Sequence, residues 1–201
     1  EAYQLLNQAL VDAKKQAVWL PGNHDDVETM KANLSDYPQR RIFEAGSWGI
    51  LMLDSSKPNS PGGHFSDQEL LFAEQALEQL AGKPVLVAMH HSPVLVNSEW
   101  IDKQQIENHH KLYQILETHG SVKAVVTGHV HQHNDSLWGD IPVYSTPSSC
   151  VQFEKYSVDF ALSDHPPGYR WLDLHADGSL QTGVEFLKDF AQRCDQNCVG
   201  Y

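Results

Sequence analysis

The chain has 201 residues, enough for one large domain and short for two. Against 26 Asp and Glu stand 14 Lys and Arg, a formal net charge of −12, which excludes a nucleic-acid binder that relies on a basic surface. No apolar run approaches the ~20 residues of a bilayer span, and no charged and apolar leader opens the chain, so it reads as soluble, with no membrane partner.

In chain order, residues 3–14 (YQLLNQALVDAK) carry helical apolar spacing, and Ala17-Val-Trp-Leu20 predicts a short buried strand running into Pro21-Gly22. A second helix is expected from Asp26 to Leu34. Arg41–Phe43 and Trp48–Leu53 read as strands paired across Ala45-Gly46-Ser47. Ser66-Asp-Gln-Glu69 is a capping box, opening a helix that runs through Leu80 and stops at Ala81-Gly82. Pro84–Met89 is a near-continuous apolar strand, the pattern of a strand covered on both faces. A helix over Asn108–Thr118 ends at Gly120, and Val122–Val126 is another such strand.

From there the pattern is strand-only: Ile141–Ser145, Phe160–Leu162, and a hairpin of Tyr169–Leu174 with Leu180–Val184 around Asp177-Gly178. No repeat or low-complexity linker interrupts the chain. The expectation is a single layered α/β domain over 1–201, with 141–201 as its β-rich part. Three cysteines, Cys150, Cys194 and Cys198, are sparse and odd in number, which fits a reducing, cytoplasmic setting better than a disulfide framework. Cys194-x-x-x-Cys198 reads either as a weak metal or redox pair or as part of a tail.

Polar residues gather where apolar strands end. Asn23-His24 follow Leu20, His90-His91 follow Met89, and His129, His131 and His133 follow the Val122–Val126 run. In open α/β sheets ligands bind beyond the carboxyl ends of strands, so these tips are expected to converge. Neutral imidazoles with an amide oxygen suit a divalent transition metal. A His-x-His pair on an extended strand end would aim both rings to one side, and Gly22 and Gly128 would let the backbone turn sharply. His90 and His91 compete for one ligand position. His64, His109, His110, His119 and His165 have no motif around them and read as surface or helix-face residues.

Taken together, Gly22-Asn23-His24-Asp25, His90-His91-Ser92-Pro93 and Gly128-His129-Val130-His131 resemble the calcineurin-like metallophosphoesterase superfamily. Its signature runs Asp-x-His, Gly-Asp, Gly-Asn-His-Asp/Glu, a histidine after an apolar strand, then Gly-His-x-His. The stretches "VWLPGNHDD", "HFSDQELLFAEQAL", "HHSPV", "VTGHVHQ", "STPSSCVQF" and "LHADGSL" are similar to the bacterial class III cyclic AMP phosphodiesterases, over essentially the whole chain.

The resemblance implies a layered metallophosphoesterase-type β-sandwich flanked by helices. It makes Asn23, His90 and His129 ligands of one metal and His131 a ligand of the other. His24 would sit beside the phosphate as general acid, with Asn23, His24 and His131 forming the substrate-binding set, and Asp25 would brace the loop. Two divalent ions, iron or manganese, would share an activated water that attacks cyclic AMP to give 5′-AMP. Pro93–Trp100 and Ser148–Phe153 would form a nucleoside rim, with Trp100 or Phe153 either stacking on a purine or packing the interior.

The blocks Asp-x-His and Gly-Asp do not precede Gly22. Asp173-Leu174-His175 and Gly139-Asp140 match them in letters but follow Gly-His-x-His, and both are rejected as decoys. The sequence therefore reads as an N-terminally truncated domain lacking its first strands, inactive alone, with at most one half-site and no carboxylate to bridge two ions. Two alternatives stand beside the cyclic AMP reading: hydrolysis of another small phosphate ester, and a non-catalytic metallophosphoesterase-like binding domain.

Overall fold

The computed structural model describes residues 1–34 and 41–190; Cys194 and Cys198 lie outside the described residues. Its centre is a six-stranded sheet in the order β1-β2-β3-β4-β6-β5. The strands are β1 (Ile42–Ala45), β2 (Trp48–Leu53), β3 (Val85–Met89), β4 (Val122–Thr127), β5 (Asn134–Trp138) and β6 (Ile141–Ser145). Strands β2, β3, β4 and β6 run parallel, while β1 and β5 are antiparallel edges.

The period of two in these strands sorts their side chains onto two faces. Leu51, Leu53, Val85, Val87, Met89, Val125 and Val143 pack under helices α3 (Asp67–Gln79) and α5 (His109–His119), against Leu70, Leu77, Leu112 and Leu116. Trp48, Ile50, Leu86 and Ala124 pack on the other face, against Leu172, Leu174 and Leu180. Those last residues belong to the hairpin of β9 (Gly168–Leu174) and β10 (Leu180–Phe186). Strand β2 is buried at every position for this reason: helices cover one face and a second small sheet the other. In β4 the alternation slips, because Val85 faces Val122 while Leu86 faces Ala124, and exposed Lys123 is the extra residue of a bulge.

The helix boundaries follow local chemistry. Asp26 caps α2 (Val27–Asn33) by accepting from the Thr29 N–H at 2.7 Å. Ser66 caps α3 through the Glu69 N–H at 3.1 Å, but the Glu69 carboxylate does not return to complete the box. It turns inward to pair with Arg41 and to accept from the Asp54 N–H at 2.8 Å, tying α3 to the end of β2. Gly120 ends α5 at φ 63°, a left-handed position that glycine takes without steric cost.

Two expectations change. Ala17–Leu20 forms no strand: it has no hydrogen-bonded neighbour among the described residues, and Trp19 instead packs with Tyr3, Val27, Met30 and Leu34 beside α1 (Ala2–Asp12) and α2. It is therefore not an exposed sheet edge. The Phe160–Leu162 strand shifts to β8 (Leu162–Ser163), paired with β7 (Gln152–Phe153). Strand β5 and the one-turn helix α4 (Glu99–Asp102) carry too little apolar periodicity to be read from sequence.

Candidate metal centre

The parallel strands deliver their carboxyl ends to one edge of the sheet. Asp54-Ser55 follow β2, His90-His91 follow β3, Gly128–His131 follow β4 and Thr146 follows β6. The Gly22–Asp25 turn comes in from the side, braced as expected by Asp25: its carboxylate accepts from the Gly22 N–H at 2.8 Å and the Tyr3 hydroxyl at 2.6 Å.

Three of the expected donors meet on one atom. The Asn23 side-chain oxygen lies 2.9 Å from His90 Nε2 and 3.2 Å from His129 Nδ1. The rings of His90 and His129 sit 5.1 Å apart. An amide oxygen only accepts, so in the metal-free protein His129 carries its proton on Nδ1. Its Nε2 then presents a lone pair, and that atom is buried without a hydrogen-bond partner. An unsatisfied buried acceptor costs about 1–3 kcal/mol, a cost that a bound cation removes. The donor set, two neutral imidazoles and an amide oxygen, fits a divalent transition metal.

His91 shares the cluster by position, its ring 4.9 Å from His90 and 4.6 Å from His129, and the three histidines form a group able to hold a metal ion. Its nitrogens are nevertheless committed. Nε2 faces the Pro61 carbonyl at 3.1 Å, which only accepts, so the proton sits there. Nδ1 accepts from the Ser55 hydroxyl at 2.9 Å, while Ser55 Oγ accepts from the His91 N–H at 3.1 Å. To ligate an ion His91 would have to break both ring bonds, whereas His90 Nε2 faces the Asn23 side-chain oxygen. Ser55 and Pro61 escaped the sequence reading, although Asp54-Ser55 also follows an apolar strand and the same strand-end rule points to it.

Burial and mutual repulsion keep the imidazoles neutral. Burial, then the charges of His91, His131 and His24, depress His90 to about 3. Burial, with His91, His90, His131 and His24 behind it, takes His129 to about 2. Burial lowers His131 to about 4 against the opposing pull of the Val151 backbone, and lowers His91 to about 4 against Pro61, Asp54 and Ser55. No proton competes with an ion at neutral pH.

The glycines and the His-x-His pair act differently from expectation. Gly22 and Gly128 are absent from the positive-φ residues; His129 at φ 62° and His131 at φ 47° take that conformation instead. The histidines thus leave the extended strand at Thr127 rather than lying along it. Gly22 supplies space: a Cβ there would sit 2.7 Å from His90 Cε1.

His131 lies beyond the cluster, stacked on Phe153 at 4.2 Å and 7°. Phe153 is buried and packs with Trp100 and Phe160, so Trp100 and Phe153 back His131. His24 is exposed and lines a cleft of about 440 Å³ with Gly22, Asn23, Asp26, Ser56 and Lys57. A smaller cavity of about 200 Å³ lies beside His131.

His133 stays outside the cluster, 3.5 Å from Asp135. Both decoys lie at the opposite edge of the sheet: Gly139-Asp140 turns β5 into β6, and the His175 carbonyl accepts from Trp48 Nε1 at the start of β2. Cys150 is free and exposed.

A family model for calcineurin-like phosphoesterases matches residues 1–133. The 3′,5′-cyclic adenosine monophosphate phosphodiesterase CpdA of Vibrio vulnificus is 38% identical over 199 residues, covering 94% of this chain and 72% of that protein. The CpdA of Escherichia coli K12 is 36% identical over 203 residues, covering 100% of this chain and 74% of that protein. Among solved structures, a dimetal phosphatase from Danio rerio matches with a TM-score of 0.57 at 16% identity, over 82% of this chain and 71% of that one, a likeness that bears on the fold. A helix-covered parallel sheet with histidines at its carboxyl edge, matched by sequence over most of its length, belongs to the calcineurin-like phosphoesterase family.

Proposed function

We propose that residues 1–201 form one metallophosphoesterase domain of a cytoplasmic enzyme that hydrolyses 3′,5′-cyclic AMP to 5′-AMP. The observation that carries the reading is the convergence of Asn23, His90 and His129 on one point, beside a buried imidazole nitrogen that lacks a partner. The substrate class is supported by the two CpdA phosphodiesterases, similar over nearly the whole chain. In this reading Asn23, His90 and His129 hold one divalent ion and His131 contributes to a second. Bound there, iron or manganese would supply Lewis acidity, lowering the pKa of a water toward neutral and offsetting charge on the phosphoryl oxygens.

The residues do the rest. Asn23 presents its oxygen as a neutral ligand and thereby leaves the ion's charge available to the substrate. Exposed His24, at the lip of the cleft, carries the proton that the departing 3′ oxygen needs. The net negative charge of the chain is no obstacle, because bound cations set the local field.

Incubation of the full-length protein with Mn²⁺ and cyclic AMP, with the product identified by chromatography, tests the assignment. The expected result is 5′-AMP alone, with turnover lost on removal of metal. Turnover of other phosphate esters but not of cyclic AMP would replace the substrate, and metal binding without any hydrolysis would make the domain a binding module.

A further inference from the structure

The segment joining β4 to β5 carries both His129 and His131, and it is held in an unfavourable shape. Each histidine sits at positive φ, 62° and 47°, where the Cβ of an L-residue crowds the carbonyl that follows it. The Val130 N–H closes a tight turn on the Gly128 carbonyl at 2.6 Å. Backbone of this kind persists only where its surroundings over-determine it.

A buried clamp is visible. Ser145, the last residue of β6 and only 2% exposed, donates its hydroxyl proton to the Gln132 carbonyl at 2.6 Å, with the Asn134 carbonyl as a second acceptor at 3.2 Å. Both acceptors belong to the arc that follows the histidines. Ser145 is fixed in turn from the β9–β10 hairpin. Its own carbonyl accepts from Arg170 Nε at 3.1 Å and Nη2 at 3.0 Å, and that fully buried guanidinium also pairs with Asp135 and donates to Thr182. On the other side the Thr127 carbonyl, at the root of the segment, accepts from Thr146 at 2.9 and 3.0 Å.

We propose that Ser145 is a positioning residue of the metal centre: by clamping the Gln132 and Asn134 carbonyls it keeps 128–134 in the arc that turns His129 onto Asn23 and His90, and so sets cation affinity without touching the cation. The proposal rests on the metal-centre reading given above. Its physical basis is population. Without the clamp the strained arc relaxes, the binding-competent shape is populated less, and the apparent dissociation constant rises in proportion.

The test uses the full-length protein and Mn²⁺ alone as the probe. Ser145→Ala is expected to weaken Mn²⁺ binding about 10–100-fold, the usual effect of removing a group that orients a ligand. In chelator, the amides of 129–134 should exchange faster with solvent. Ser145→Thr, which keeps the hydroxyl, should restore most of the affinity. Val143→Ala, a buried truncation on the same strand, should lower the melting temperature and leave Mn²⁺ affinity unchanged. If Ser145→Ala does not fold, Ser145→Cys, a weaker donor, carries the same expectation at a loss of several-fold.

Wild-type Mn²⁺ affinity in a folded Ser145→Ala or Ser145→Cys protein overturns the proposal. So does a loss that follows melting temperature alike in the Ser145 and Val143 variants. A wild-type protein that binds no Mn²⁺ removes the metal-centre reading itself, and the proposal with it.

Discussion

Gly22 and the His90 ring are packed so closely that a methyl group cannot come between them. A Cβ at Gly22 would stand 2.7, 2.8 and 2.9 Å from three atoms of the imidazole, with no positive φ to add backbone strain. Gly22→Ala should therefore push the His90 ring off Asn23 and weaken Mn²⁺ binding roughly tenfold or more, measured by titration calorimetry. At the next two positions the proposed function assigns ligation to Asn23 and proton transfer to His24, and the two variants should differ. Asn23→Ala should lower metal occupancy and be partly rescued by excess Mn²⁺. His24→Ala should keep its metal content, lose roughly 10²–10⁴-fold in kcat on cyclic AMP, and resist rescue. With a p-nitrophenolate leaving group, which departs without a proton, the His24 defect should shrink. A His24→Ala protein that loses metal, or suffers equally on both substrates, would remove His24 from the acid role.

At the scale of elements, the junction of α3 with the sheet shows how a local motif serves a distant purpose. The Ser66 cap is local, and Ser66→Ala should cost about 1 kcal/mol in urea unfolding. Glu69 is different: burial pushes its pKa up, while Arg41 and the Asp54 N–H oppose that rise. Glu69→Ala should cost more than the cap, on the order of 3 kcal/mol, because it leaves Arg41 and the Asp54 N–H without their acceptor. Equal losses in the two variants would show that the Glu69 contact contributes little. The sequence made Glu69 legible as a capping residue, since Ser-x-x-Glu is a short-range pattern. That its carboxylate would instead reach Arg41, 28 residues away in sequence, is decided by which strand end packs against the first turn of α3.

Across the whole molecule, the buried histidines link stability to pH. An unfolded imidazole takes up its proton near pH 6.5, whereas folded His90, His91, His129 and His131 resist protonation down to between about 4 and about 2. In that interval the unfolded chain binds more protons, so stability falls as pH falls. Metal-free protein should show its urea midpoint declining steadily from pH 7 to pH 4, and His91→Gln should flatten the decline. A midpoint unchanged down to pH 5 would contradict neutral buried rings.

The same cluster bears on what the 201-residue chain is expected to do alone. Among the described residues the metal-holding group consists of histidines, with no carboxylate to bridge two ions. The isolated chain should bind Mn²⁺ weakly and singly, and should leave bis(p-nitrophenyl) phosphate intact. Two tight sites by calorimetry, or measurable hydrolysis, would count against that.

The sequence by itself determined the alternation of helices and strands, because apolar spacing and caps such as Ser66 and Gly120 act over a few residues. It also placed Asn23, His90 and His129 at the ends of apolar runs, where the strand-end rule expects a site. Only the tertiary structure decided that Ala17–Leu20 pairs with no strand among the described residues, since a strand needs a neighbour as well as apolar residues. It alone showed that His91 commits both ring nitrogens to Ser55 and Pro61 while the adjacent His90 faces Asn23, because Ser55 and Pro61 come from a different strand end. It alone also showed that the histidine arc is bent by left-handed backbone and clamped from Ser145. Those partners meet through long-range packing, and no window of sequence contains them.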